Sequence, residues 1–371
     1  MVMVGSISHL VSTMKSSTRS ICLAMAVTTL GGVSSFSGEI TKNVAAPSLS
    51  NGMDYVKLGS SDLEVSKVCM GTMTFGQQNT LEEGVEQLNL AWDNYGINFL
   101  DTAELYPVPS KAETQGMTDK TVAEFLKGRR REDVVLATKV CGKSNMDYFP
   151  RKEKTTTSLT KEQILFSVDK SLERLGTDHI DLLQLHWPDR YVGSMFGQAD
   201  FTPSQVREAV PFEETLEALQ VLIEKGKVRF AGVSNESPYG VCSMIELAKQ
   251  SPDLYPRIVS IQNSYSLVVR KDFESGLAES CYHHKVGLLP YSPLAGGSLT
   301  GKYAIKEDVP ENCRYVHVDL REARDLYSVI LADVFRSLPD TRCSLASWIG
   351  IMAAKMKRLL WPTQGLPKRR A

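Results

Sequence analysis

The sequence predicts an α/β fold, a (β/α)8 barrel of the TIM type that is incomplete at its last strand and helix. Seven short apolar segments alternate with amphipathic helical segments, which demands parallel strands and crossover helices. Polar residues stand at the end of strand after strand, and the turn after the first strand, 71–76, lacks a glycine-rich dinucleotide fingerprint. An open doubly wound sheet is the alternative, but polar residues spread over many strand ends favour the barrel.

The first elements are a hairpin, a strand and a helix. Residues 55–68 alternate around a Gly59–Asp62 turn, and an apolar strand follows at 68–72. The next helix is predicted from apolar residues at helical spacing and a closing glycine: Leu81, Val85, Leu88, Trp92, Tyr95 and Gly96. A strand at 97–101 then ends in Asp101, with Tyr106 in the following loop.

The alternation continues as far as Tyr291. Helices are predicted at 117–128, 161–175, 211–225, 238–249 and 271–284, and strands at 133–139, 180–186, 228–234, 258–262 and 286–291. The strand ends carry Asp101, Lys139, His186, Asn235, Gln262 and Tyr291. Because loops beyond the carboxyl ends of such strands carry functional groups, these side chains are the candidate site.

Composition excludes several classes of protein. A chain of 371 residues with 42% hydrophobic and 23% charged residues can bury a large core, as one barrel-sized domain or two ordinary ones. Its net charge of -1 gives no electrostatic case for nucleic-acid binding. The seven cysteines are scattered without a CxxC pair, which is typical of reduced thiols and of neither a disulfide framework nor a zinc site.

Residues 1–50 form a leader of different composition. They are rich in Ser and Thr, contain Lys15, Arg19 and Lys42, and have one acid, Glu39. This pattern is typical of an organelle transit peptide, plastid more than mitochondrial because arginine is sparse. We expect a disordered or cleaved segment and a location in the chloroplast stroma, or in the cytoplasm if the leader is not a transit peptide. A secretory signal competes, but the cysteine usage argues against it, and no stretch is long and apolar enough for a membrane helix.

Four residues at strand ends suit one chemistry. Hydride delivery to a carbonyl leaves an alkoxide that needs a proton, and the Tyr106 phenol can supply it. The ordinary tyrosine pKa of about 10 is high, and a nearby Lys139 ammonium is expected to lower it. Asp101 would hold Lys139 in place and charged, while His186 would orient the carbonyl oxygen or share the proton. Each residue alone has a structural explanation, but four at successive strand ends favour a catalytic site.

These residues resemble the aldo-keto reductase family. Asp101–Tyr106, Lys139 after Val134–Thr138, and His186 within Leu182–Trp187 are similar to its catalytic tetrad. A second set of residues resembles the nicotinamide-binding positions of the family: Gly232, Val233, Ser234, Asn235, Gln262, Tyr291, Ser292, Pro293 and Leu294. The likeness covers roughly residues 54–303 and implies an NADPH-dependent barrel in which Ser234, Asn235 and Gln262 hold the carboxamide and Tyr291 stacks on the ring. The wide 187–211 segment and the leader indicate the plant and bacterial branch with enlarged loops.

A glycine-rich segment near residue 300 has a competing interpretation. Residues 296–302 fit the first seven places of a phosphate-binding P-loop, but Tyr303 replaces the required hydroxyl residue and no strand runs directly into Gly296. A nucleoside triphosphatase is therefore disfavoured. The resemblance instead implies a loop over the cofactor pyrophosphate, with Gly296 and Lys302 as contacts. His283 and His284 lack acid partners at ligand spacing, so we predict surface residues and no metal site.

The predicted barrel domain covers residues 54–313, and residues 314–371 form a divergent helical or disordered tail. The resemblance stops near Cys313, and two helices are predicted near 320–337 and 345–360. No acid follows Asp340, which is typical of a basic membrane-surface or partner helix; an altered reading frame joined to a truncated enzyme is the preferred explanation. A barrel without its last strand leaves two unpaired strand edges, so we expect damaged cofactor affinity or folding.

Two functions remain open from the sequence. The first is an NADPH-dependent reductase of a small-molecule aldehyde or ketone, with Tyr106 as the proton donor. The second is a catalytically impaired or regulatory barrel that binds cofactor without useful turnover, as the potassium-channel auxiliary subunits of the family indicate by resemblance. Substitution of Tyr106 by Phe discriminates between them, because only the reductase loses turnover.

Overall fold

The computed structural model describes residues 3–5, 52–153, 155–193 and 201–300. The described residues fall into two compact units. One contains the described parts of Met1–Thr13 and Gly32–Ser264, together with Lys271–Tyr291. The other contains Tyr265–Arg270 and the described part of Ser292–Ala371.

The first unit is built on a parallel sheet of eight strands. Their bounds are β1 Met3–Gly5, β4 Val68–Gly71, β5 Phe99–Asp101, β6 Val135–Val140, β7 Ile180–Leu185, β8 Val228–Ser234, β9 Ile258–Gln262 and β10 Gly287–Leu288. From β4 to β10 every strand pairs with the next one along the chain. A doubly wound sheet reverses its strand order at a switch point, so this order confirms the predicted barrel class. An antiparallel hairpin, β2 Tyr55–Lys57 with β3 Glu64–Ser66, precedes β4.

Helices connect successive strands, as the alternation predicted. Their bounds are α1 Leu81–Tyr95, α2 Met117–Leu126, α3 Lys161–Leu175, α4 Phe212–Glu224, α5 Pro238–Gln250, α6 Lys271–Glu274 and α7 Leu277–His284. Thr80 and Glu83 form a reciprocal capping box at the start of α1, and Gly96 ends it in the left-handed conformation with φ 64°. Local sequence therefore fixes this helix at both ends.

Two apolar clusters divide the core between the inside and the outside of the sheet. The inner cluster joins alternate strand residues to the hairpin: Leu58, Leu63, Val65, Cys69, Phe99, Val135, Ala137, Leu182, Val259 and Leu289. The outer cluster joins the intervening residues, such as Leu100 and Leu136, to α1 and α2. Apolar residues thus fill the hairpin end of the barrel, and polar residues are left for the carboxyl ends of the strands.

Two predicted elements near the end of the barrel have different bounds. The helix expected at 271–284 is broken into α6 and α7, where Gly276 has φ 151°, a value that side chains rarely allow. The strand expected at 286–291 is reduced to Gly287–Leu288, and Pro290 beyond it has no N–H with which to extend the ladder.

The leader and the tail lie mostly outside the described residues. Met3–Gly5 are described, and they pair in parallel with Val68–Met70 of β4. The rest of residues 1–50 and all of 314–371, with the predicted tail helices, are not among the described residues, so both domain assignments stay predictions. In the described ranges, no helix has the length and apolar character needed to cross a membrane.

Candidate active site

The polar strand ends meet at one edge of the sheet. Asp101 is the last residue of β5 and Gln262 the last of β9. Lys139 pairs in register with Gln184 across β6 and β7, and Ser234 pairs with Gln262 across β8 and β9. Side chains that are far apart in sequence are therefore fixed at the same level of the barrel.

Lys139 is the centre of the site. Its Nζ lies 2.6 Å from Asp101 Oδ2 and 3.1 Å from the Tyr106 hydroxyl, and it donates to the Thr102 carbonyl at 2.9 Å. The Lys139 side chain is 0% exposed and that of Asp101 2%. One ammonium thus joins two of the other predicted catalytic residues in a water-excluded pocket.

His186 completes the predicted group of four. Its ring packs edge-to-face against Tyr106, with 5.7 Å between the ring centroids. Its Nδ1 is buried and has no hydrogen-bond partner among the described residues. Burial, followed by the Lys139 charge, lowers the pKa of His186 well below its ordinary 6.5. The imidazole is therefore neutral at pH 7 and can donate or accept a hydrogen bond, but it does not supply positive charge.

The pKa of Tyr106 departs from the expectation. Burial raises it, and Lys139 lowers it by charge and by hydrogen bonding, but burial prevails and the pKa lies above 10.0. Lys139 therefore lowers the phenol pKa as predicted, but the net pKa is raised and not lowered, because burial outweighs the single cation. For Lys139, burial opposes charge, yet Asp101 and Tyr106 together raise its pKa above 10.5. At neutral pH the site contains a protonated phenol beside an ammonium.

Two glutamines contact Asp101. Gln184 Nε2 donates to Asp101 Oδ1 at 3.0 Å, and Gln262 Nε2 donates to the same oxygen at 2.9 Å. Gln262 was predicted as a cofactor contact, whereas Gln184 was not assigned a role. The sequence contained a signal for it, since Gln184 lies two residues before His186 and so faces the same side of the strand.

Four of the predicted cofactor residues lie together. Ser234 Oγ donates to the Gln262 carbonyl at 2.7 Å, and Asn235 Nδ2 donates to the His186 carbonyl at 2.9 Å. The Tyr291 hydroxyl donates to Asn235 Oδ1 at 2.9 Å. Burial first, then the nearby Tyr106, raises the pKa of Tyr291 to about 12, so its hydroxyl stays protonated.

The remaining predicted cofactor residues belong to the second unit or are not described by the structure. Ser292, Pro293, Leu294 and Gly296 belong to the second unit, at or just before the 3₁₀ segment Ala295–Thr300. Within this segment the Gly297 N–H donates to the Leu294 carbonyl at 2.9 Å. Lys302 is outside the described residues.

A buried ion pair behind Tyr106 was not predicted. Arg151 donates from two nitrogens to the two oxygens of Glu104, at 2.9 Å each, and both side chains are 1% exposed. Glu104 also accepts from the Cys141 N–H and the Ser167 hydroxyl, each at 2.7 Å. The pair ties the loop that bears Tyr106 to the long loop after β6. No local pattern reveals it, because its partners lie 47 residues apart on separate loops.

The side chains of Asp101, Lys139, Tyr106 and His186 thus meet at the carboxyl end of a parallel α/β barrel, in an arrangement suited to proton transfer. The family model for the "Aldo/keto reductase family" matches residues 67–333, and the chain belongs to that family. The match extends past the boundary predicted at 313. Members share the (β/α)8 barrel and generally use NAD(P)H, so the chain is an oxidoreductase of the carbonyl-reducing class.

Individual relatives agree with this assignment. "Protein tas" of Escherichia coli is 44% identical over 253 residues, covering 68% of this chain and 71% of the relative. An "Aldo-keto reductase" of Babesia bovis is 39% identical, covering 58% of this chain and 80% of the relative. "Uncharacterized oxidoreductase YrpG" of Bacillus subtilis is 31% identical, covering 80% and 83%.

Proposed function

We propose that the protein reduces an aldehyde or ketone to the alcohol with NADPH as the hydride source and Tyr106 as the proton donor. The observation that supports this most directly is the 3.1 Å contact between Lys139 Nζ and the Tyr106 hydroxyl. A phenol that is protonated at neutral pH and lies beside a fixed cation suits transfer of a proton to an oxygen that gains negative charge.

The residues around Asn235 fit a nicotinamide carboxamide. The hydrogen bond that the structure describes for the Gln262 side chain uses its Nε2, which leaves the side-chain oxygen as an acceptor for an amide N–H. Ser234 and Asn235 lie beside it, and the Tyr291 ring would cover one face of the nicotinamide. The cofactor contacts expected for Ser292, Pro293, Leu294, Gly296 and Lys302 stay predictions. When bound, NADPH supplies the hydride that adds to the carbonyl carbon.

Each catalytic side chain has one task in this proposal. The neutral His186 donates a hydrogen bond that orients the substrate carbonyl oxygen. Tyr106 gives its proton to that oxygen as the carbon is reduced, and Lys139 stabilises the phenolate left behind. Asp101 holds Lys139 as an ammonium.

Cofactor preference and turnover need separate measurements. Quenching of protein fluorescence on titration with NADPH and with NADH gives the two Kd values, and we expect tighter binding of NADPH. Oxidation of NADPH in the presence of a generic aldehyde such as 4-nitrobenzaldehyde, with detection of the alcohol, then measures turnover. Equal Kd values would contradict the NADPH preference. Tight binding without turnover on any of a panel of carbonyls would favour the regulatory alternative.

We also propose that residues 1–50 direct the protein to the chloroplast stroma. The support is the composition of the leader, with its many hydroxyl residues and its single acid, Glu39. Residues 1–50 fused to a fluorescent protein should accumulate in plastids and be shortened there. Cytoplasmic fluorescence of the unprocessed fusion would contradict this proposal.

A further inference from the structure

Gln184 is a polar residue placed inside the barrel. It lies on β7, is 0% exposed, and stands in register between Lys139 on β6 and Gly232 on β8. Two residues earlier on the same face, Leu182 belongs to the apolar inner cluster. The polar layer of the site therefore begins at Gln184.

The contact of Gln184 with Asp101 helps to determine which carboxylate oxygen accepts from Lys139 and which accepts from the glutamines. Oδ2 accepts from Lys139 at 2.6 Å, while Oδ1 accepts from Gln184 at 3.0 Å and from Gln262 at 2.9 Å. The orientation of both amides is determined, because the opposite one would set an amide oxygen against a carboxylate oxygen. Each oxygen of Asp101 thus has its own partners.

This arrangement has an energetic disadvantage that an apolar residue would avoid. Gln184 Oε1 is buried and has no hydrogen-bond partner among the described residues, which destabilises a fold. The neighbouring strand also makes room for the side chain, since a Cβ on Gly232 would lie 3.3 Å from Gln184 Cγ and 2.4 Å from Ser260 Oγ. The hydrogen bond from Gln184 Nε2 to Asp101 offsets the cost of the unpaired Gln184 Oε1.

We infer that Gln184 is a positioning residue, which with Gln262 turns Asp101 so that only Oδ2 faces Lys139 and the ammonium can also reach Tyr106. Without Gln184, only Gln262 Nε2 still holds Oδ1, so Oδ1 can turn toward Lys139 more easily and draw Nζ away from the phenol. The inference rests on the proposed function, because the group it positions is the proposed proton donor.

The first test replaces Gln184 with leucine. Loss of a hydrogen bond to a charged group predicts that Gln184→Leu lowers kcat on the order of tenfold to a hundredfold, with KM for the aldehyde and Kd for NADPH within about twofold of wild type. Gln220→Leu is the matched control, since the side-chain hydrogen bond that the structure describes for Gln220 goes to Glu224 on the exposed face of α4. Thermal melting should show both variants folded. Wild-type kcat in Gln184→Leu would overturn the inference, whereas an inactive wild type would sink the proposed function.

The second test uses Gln184→Glu. The introduced carboxyl, when protonated, can donate to Asp101 as the amide does, and when ionised it repels Asp101. Gln184 contacts Asp101 and stands beside Lys139, and the titratable groups that interact with these two are Tyr106, His186 and Cys69; burial keeps His186 and Cys69 neutral. Burial and the Asp101 charge raise the pKa of the introduced carboxyl, while the Lys139 ammonium, already paired with Asp101, opposes them. We expect kcat relative to wild type to be restored at low pH and to fall as the pH rises; a ratio independent of pH would overturn the inference.

The third test needs no substrate. The absorbance of the phenolate, taken as wild type minus Tyr106→Phe, reports ionisation of Tyr106. Because Lys139 lowers the pKa of Tyr106, withdrawal of the ammonium in Gln184→Leu should move this transition to higher pH. An unchanged transition would contradict the positioning role even if no carbonyl is turned over.

Discussion

The buried pair of Glu104 and Arg151 offers the sharpest stability prediction. In Arg151→Met, the stem of the side chain still fills space, but Glu104 loses the guanidinium that contacts both its oxygens at 2.9 Å. The Glu104 carboxylate is 1% exposed, so water does not replace the missing partner. The substitution therefore leaves a charge buried in a pocket built to neutralise it.

The magnitude follows from that burial. Breaking a buried ion pair by removing one partner costs about 3–5 kcal/mol of unfolding free energy. We expect the lower part of this range, because the Cys141 N–H and the Ser167 hydroxyl still donate to Glu104. The Tyr106 loop should loosen as well, since Glu104 is two residues from Tyr106.

The unfolding free energy lost in Arg151→Met should depend on pH. In the wild type, burial raises the pKa of Glu104, but Arg151 and the other donors bring it below 4.5 overall. The stabilisation is therefore present above pH 4.5 and is lost as the pH falls through the lower pKa of the folded state. Without Arg151, burial raises the pKa of Glu104. In the variant, Glu104 therefore becomes protonated at a higher pH than in the wild type, which removes the unpaired buried charge. The gap between wild type and variant should shrink as the pH falls from 7.

Urea unfolding at pH 7 and near pH 4.5 measures both effects. Lys152→Met is the matched control, because Lys152 is 70% exposed in its pair with Glu162 and its loss should leave the unfolding midpoint unchanged. The double variant Glu104→Gln with Arg151→Met should be more stable than Arg151→Met alone, since it removes the unpaired charge. Equal midpoints for wild type and Arg151→Met at pH 7 would refute the reasoning.

Three further predictions concern the site and its frame. Gly142→Ala would set a Cβ 2.0 Å from the Trp187 carbonyl, so it should lower the melting temperature and the kcat, whereas Gly128→Ala, with no atom within 4 Å, should change neither. Lys139→Met should lower kcat on the order of 10²–10⁴-fold in steady-state assays while the Kd for NADPH is kept. Because the pKa of His186 lies well below 6.5, kcat/KM should show no inflection near pH 6.5, and an inflection that disappears in His186→Gln would contradict a neutral imidazole.

The fold was predictable because its signals are local. Helix α1 is specified by a capping box at Thr80 and a left-handed Gly96, and the strands by short apolar segments that are buried on both faces. Gly276 separates α6 from α7 and could have indicated the break. One helix was predicted instead, because the helical pattern continues on both sides of this glycine.

The site was predictable only where a strand end marked it. Asp101, Lys139 and His186 lie at such ends, and the structure places them around Tyr106. The pKa of Tyr106 was not predictable, because it depends on how far burial outweighs one cation, and burial is a property of the fold. The contact between Glu104 and Arg151 depends on the paths of two loops, which no short pattern specifies.

The central claim is that Tyr106 supplies the proton. The most direct measurement is the kcat for reduction of an aldehyde by wild type and Tyr106→Phe, together with the Kd for NADPH of each. The account predicts a kcat lower by a factor on the order of 10²–10⁴ in the variant with a Kd within about twofold. A Tyr106→Phe protein that binds NADPH and turns over at the wild-type rate would contradict it.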